Sequence, residues 1–67
     1  MRRYPAHKVT PLLVQHPDLM QAWKEAAEAG LLRAEGRGKE NFVVVADKGL
    51  IARLKALGLE GEPTEEA

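Results

Sequence analysis

Residues 30–49 read GLLRAEGRGKENFVVVADKG, and the fold turns on how this stretch is read. Inside it, residues 41–46 (NFVVVA) set three consecutive valines between a phenylalanine and an alanine, a run whose β-branched and aromatic content predicts a strand. The preceding LLRAE, residues 31–35, is its antiparallel partner. The two are joined through GRGKEN, whose glycines allow the positive φ angles of a hairpin bend. Alternation along the strand sends Phe42, Val44 and Ala46 to one face and Val43 and Val45 to the other. Both faces are apolar, so one meets helices and the other needs a cover. Val43 and Val45 are assigned to the uncovered side, as the candidate self-association surface of a homodimer, together with the strand edge.

Helices are expected on both sides of this hairpin. In HPDLMQAWKEAAEAG, residues 16–30, Pro17 suits the first helical position, Asp18 complements the positive helix end, and Gly30 stands where a left-handed cap stops the helix. Leu19, Ala22, Trp23 and Ala26 then form a narrow, alanine-rich apolar seam, in which Trp23 reads as a core residue rather than a ligand platform. In ADKGLIARLKALGLEG, residues 46–61, Asp47 is the N-cap and Leu50, Ile51, Leu54 and Leu57 make the apolar stripe. Gly58 ends this helix and Leu59 folds back onto Leu54. HKVTPLLVQ, residues 7–15, is read as an edge strand interrupted by Pro11, because His16 precedes a proline and is biased toward extended geometry. The alternative is a short helix capped by Thr10 that starts with Pro11 at its first position.

Sixty-seven residues allow one domain, which buries only about 60% of the surface its unfolded chain exposes. With no cysteine, neither a disulfide framework nor a thiolate zinc site supplements that thin core, so dense aliphatic packing or a partner chain must. Serine is absent and Asn41 is the one asparagine, a composition that follows the thermophile trend away from labile residues. No apolar run approaches the roughly 20 residues that span a bilayer, and no signal-peptide core stands at the start, so a cytoplasmic location is expected. The formal net charge is zero, but it is unevenly spread. Glu60, Glu62, Glu65 and Glu66 gather at the end, and residues 1–59 carry ten basic against six acidic residues. GEPTEEA, residues 61–67, reads as a disordered acidic tail able to cover basic surface in cis, and residues 1–60 as the folded domain.

The order of an amphipathic helix ending in AAEAGLL, a short strand, a basic glycine turn, an apolar strand and DKG opening a leucine-striped helix resembles the C-terminal half of winged-helix transcription regulators, over residues 21–57. The resemblance implies that the helix before GLL enters the major groove and that the turn is the wing, with Arg33, Arg37 and Lys39 as phosphate contacts. That family places two helices ahead of its recognition helix, and residues 1–16 are too short to supply both. Asp18 and Gln21 near the start of the helix are also poor readers of base edges, which leaves sequence-independent backbone contact as the implied mode.

Other chemistry finds little footing. There is no serine or cysteine nucleophile, Thr10 and Thr64 have no evident base partner, and GRGKEN leads into a strand without the lysine-threonine ending of a nucleotide-binding loop. His7 and His16, even with Asp18, match no metal-ligand spacing. The expectation is therefore a small α+β domain, strand, helix, hairpin, helix, with two helices packed on one short antiparallel sheet, and a truncated winged helix as the alternative. It is expected to be a non-enzymatic module without cofactor, metal, membrane or small-molecule substrate. It associates with nucleic acid through Arg33, Arg37 and Lys39, helped by Arg2 and Arg3 as a basic arm beside Tyr4. The alternative is a protein-interaction or self-associating homodimer module using Val43 and Val45.

Overall fold

The computed structural model describes residues 1–64; Glu65, Glu66 and Ala67 of the acidic tail lie outside the described residues. The chain forms an α+β domain in which strand β1 (Arg2–Pro5) leads into helix α1 (Ala6–Gln15) and helix α2 (Pro17–Glu28). The hairpin β2 (Leu32–Arg37) and β3 (Glu40–Val45) follows, then helix α3 (Lys48–Ala56) and a two-residue strand β4 (Glu62–Pro63). The sheet is antiparallel with the order β2-β3-β1-β4, so the valine strand is central, paired by β2 on one side and β1 on the other. No helix among the described residues is long and apolar enough to cross a membrane.

The hairpin forms as its sequence requires. Arg37 and Glu40 are the last paired residues, and Gly38 and Lys39 alone make the bend, with Gly38 at φ +61° in the first central position. A positive φ there and none at Lys39 is the primed turn whose twist matches that of its strands. Both long helices after α1 end as read. Gly30 N–H donates to the Ala27 carbonyl and Leu31 N–H to that of Ala26, while Gly58 N–H donates to Lys55 and Leu59 N–H to Leu54. These paired bonds satisfy carbonyls that a helix end otherwise leaves open. Asp47 caps α3, its Oδ1 accepting from the N–H groups of Gly49 at 2.8 Å and Leu50 at 3.2 Å.

Three expectations are corrected. The segment from His7 to Gln15 is helical rather than an edge strand, and the N-terminal strand lies ahead of it at Arg2–Pro5. The helix wins because Val9, Leu12 and Leu13 form an i, i+3, i+4 stripe that buries against the core, whereas a strand would send Val9 and Leu13 away from Leu12. Pro11 sits within α1 on its exposed side, and the Thr10 hydroxyl donates to the Ala6 carbonyl at 3.1 Å instead of capping a later start. Three helices, not two, therefore cover the sheet. Second, residues 61–64 of the expected disordered tail run along β1, with Arg2 opposite Pro63 and Arg3 opposite Glu62. Third, the two faces of β3 are reversed: Val45 is 0% exposed and joins Tyr4, Val9, Leu19, Ala26, Leu50 and Leu54 in the core beneath the helices, with Val43 packed beside it. Phe42 and Val44 occupy the face without helices, so Val43 and Val45 offer no outer surface for self-association.

Tyr4 holds β1 to this core. Its side chain is fully buried, and burial pushes its hydroxyl pKa above the ordinary tyrosine value, with the Arg2 charge opposing. The chain after α3 closes over it at Gly61, which has φ +67° and lies so near that an added Cβ would stand 2.6 Å from the ring and 2.8 Å from the Arg3 carbonyl oxygen. Gly61→Ala therefore combines a strained φ with a clash against backbone. It is expected to lower stability by about 1–3 kcal/mol in urea unfolding. Asp47→Ala removes two bonds to orphan amides at the start of α3 and is expected to cost about 1 kcal/mol in the same measurement, with Asp47→Asn largely restoring it.

Candidate nucleic-acid interface

The register of the sheet fixes what lies on its helix-free face. Directly opposite residues of an antiparallel sheet point the same way, so Arg3 and Arg33 flank Val44 from either side, Pro5 and Glu35 flank Phe42, and Arg37 stands opposite Glu40. Val44, between Arg3 and Arg33 in register, is only 3% exposed although it lies on the face opposite the core cluster. Arg3 is itself largely withdrawn from solvent, at 16% side-chain exposure.

The arginines of this face gather at Glu35, on the outer strand β2. Its Oε1 accepts a hydrogen bond from Arg37 Nε at 2.8 Å and lies 3.2 Å from an Arg3 guanidinium nitrogen, while its Oε2 is 3.7 Å from Arg33. The Arg37 hydrogen bond, with the charges of Arg3, Arg37 and Arg33, holds the Glu35 carboxyl below the usual glutamate range against a partial desolvation that acts the other way. Three guanidinium groups approach the one Glu35 carboxylate. Lys39 adds another cation at the exposed hairpin tip, while the exposed Glu40 and Glu62 stand at the margins.

Beyond Phe42 the face continues into an open cleft of about 440 Å³ bordered by Arg3 and Phe42 from the sheet, Lys8 from α1, Lys55 from α3, and Glu60 and Glu62 from the returning chain. The cleft is thus bordered by both cations and carboxylates.

Of the residues singled out in the sequence, Arg3, Arg33 and Arg37 are brought together and Lys39 lies at the end of the same hairpin. Arg2 is not with them. It is in register with Val45, on the helix side of the sheet, where it lines a separate cavity with Ile51, Lys55 and Glu60. Glu35 and Phe42 were not singled out, yet they organise the face. Helix α2, the recognition helix in the winged-helix reading, presents Asp18, Gln21, Lys24, Glu25 and Glu28 to solvent, one cation against three carboxylates. Asp18 is engaged by Arg53 of α3. His16 and Asp18 share a small cavity with that arginine, and among the described residues no three of His, Cys, Asp and Glu converge as a metal site. No protein-family model matches the chain, and no curated protein or solved structure matches it significantly.

The Glu35 cluster has a signature in acid. With a native pKa below the unfolded one, its stabilisation is complete above the ordinary glutamate value of about 4.3 and is lost as pH falls through the lowered native value. Glu35→Gln removes that component. Urea unfolding from neutral to acid pH is expected to show a shallower loss of stability in the variant than in the parent.

Proposed function

We propose that the protein is a non-enzymatic, nucleic-acid-associated module that holds the phosphates of a strand on the helix-free face of its sheet. The observation that carries this reading is the convergence of Arg3, Arg33 and Arg37 at the Glu35 carboxylate on a strand-borne surface. Guanidinium groups bind phosphate oxygens in pairs, and a backbone-tracking basic surface beside an aromatic ring is the general design for sequence-independent single-strand binding. Phe42, half-buried and next to Glu35 in register, supplies that ring. Lys39 extends the reach at the hairpin tip.

The winged-helix resemblance enters the same proposal in altered form. The order β1, α1, α2, β2, β3, with a single residue, His16, between the two helices and β1 joined to β3, supports a helix-turn-helix followed by a wing. The helix that the family lays in the major groove is acidic on its outer side here, and a duplex backbone repels it. The hairpin and sheet face, not α2, are the contact surface.

The test is fluorescence anisotropy of labelled single-stranded and duplex oligonucleotides across a salt series. Binding to the single strand is expected to weaken by a log-log slope of about −0.7 per phosphate neutralised. Arg37→Ala and Lys39→Ala should each weaken binding and flatten that slope, and Glu35→Gln, which releases positive charge, should tighten it. Arg2→Ala, off the face, should leave it unchanged. Absence of binding at low salt, or equal losses from Arg2→Ala and Arg37→Ala, overturns the reading.

A further inference from the structure

We infer that the β2 edge is a self-complementary interface, and that two copies of this chain pair β2 against β2 about a two-fold axis at Ala34, joining their sheets into one. β2 is the outermost strand on its side of the sheet, with no strand beyond it among the described residues. Which of its backbone groups face outward follows from the hairpin. Arg37 and Glu40 close a two-residue bend, and Ala46 N–H donates to the Leu31 carbonyl at the other end of the ladder. Because hydrogen-bonded and non-bonded pairs alternate, the odd-numbered residues of β2 turn their amides toward β3, and Leu32, Ala34 and Gly36 turn theirs to the open edge.

An antiparallel partner must therefore place its own Leu32, Ala34 and Gly36 against these three, which leaves few registers. Pairing about Glu35 sets Glu35 against Glu35 and Arg33 against Arg37 of the other copy, like against like on every charged pair, and is repulsive. Pairing about Ala34 sets Arg33 opposite the other copy's Glu35 and Glu35 opposite its Arg33, both favourable, with Leu32 against Gly36 on the other face. Pairing about Gly36 also matches Arg37 with Glu35, but sets Arg33 against Lys39 and overlaps mainly at the bend. The Ala34 register is thus the one that satisfies charge over the whole strand.

Charge complementarity of the edge with itself is what names the occupant. A C2 contact requires a patch that matches its own copy, and the order Arg33, Ala34, Glu35 does so about its middle residue. Ala34 and Gly36 are small and exposed on the helix side, so they leave the approach clear. Leu31, an exposed leucine beside the edge, would lie against the stem of the other copy's Arg37. A six-residue edge covers less than the roughly 1,200–2,000 Å² of a standard interface, so the pair is a reversible, concentration-dependent dimer.

Sedimentation velocity over a concentration series, without nucleic acid, tests this independently of the proposed function. The parent is expected to shift from one to two chain masses. Ala34→Pro deletes an outward N–H that only the second copy uses, and edge strands tolerate proline at such positions, so the variant should keep its circular dichroism and stay monomeric. Arg33→Glu alone should weaken the dimer, and Arg33→Glu with Glu35→Arg should restore it. In a chain that contains no cysteine, Ala34→Cys should cross-link to its own copy under mild oxidation, since the two Cα atoms would lie about 5.5 Å apart. A parent monomeric at every concentration, a dimer indifferent to Ala34→Pro, a double variant no better than the single one, or cross-linking at Gly36→Cys in preference to Ala34→Cys overturns the inference.

Discussion

The constraint behind the rest of the molecule is that β3 is paired on both sides. A strand hydrogen-bonded to two neighbours cannot rotate or slip by one residue without turning every side chain of the sheet over. That fixed parity buries Val45 with Tyr4 and Leu32 toward the helices and, by the same alternation, sets Arg3 and Arg33 on either side of Val44. The core and the arginine cluster are the two faces of one register. Neither can be moved without the other.

Packing alone accounts for the covered face, where three helices close over one layer of side chains. Electrostatics shapes the other. A glutamate in the middle of a half-exposed strand would ordinarily face water; here three guanidinium groups converge on it. The helix-free side is thus kept soluble by charge and kept rigid by the strands that carry it. Its guanidinium groups are carried by strands rather than by loops, which fixes their geometry.

What could be read in advance was local. The three valines, the caps at Asp47, Gly30 and Gly58, and the return of Leu59 onto the last turn of α3 each depend on a few neighbouring residues. β1 does not: RRYP contains two arginines and a proline, and it is extended because β3 offers it a partner and the core accepts Tyr4. The signal for α1 is the Val9, Leu12, Leu13 stripe, which Pro11 interrupts only on the exposed side. The reversed faces were also decidable. A two-residue bend at Gly38 and Lys39 fixes the register, and LRAEGR alternates apolar or small with charged, so its charged side must fall with Phe42 and Val44. The valine run was read by itself, and a run apolar on both sides carries no parity.

The two borders of the sheet are unlike. On one side β2 offers six residues of backbone; on the other, β1 is closed by a strand of only two, one of them Pro63, locked down where Gly61 passes the ring of Tyr4. Proline has no amide to lend and so short a strand is a poor template, so lateral growth is terminated on that flank. In the β2-paired dimer inferred above, each sheet uses its longer open border on the other copy. Both outer flanks of that dimer then end on β4, so it stops at two copies instead of stringing into a fibre.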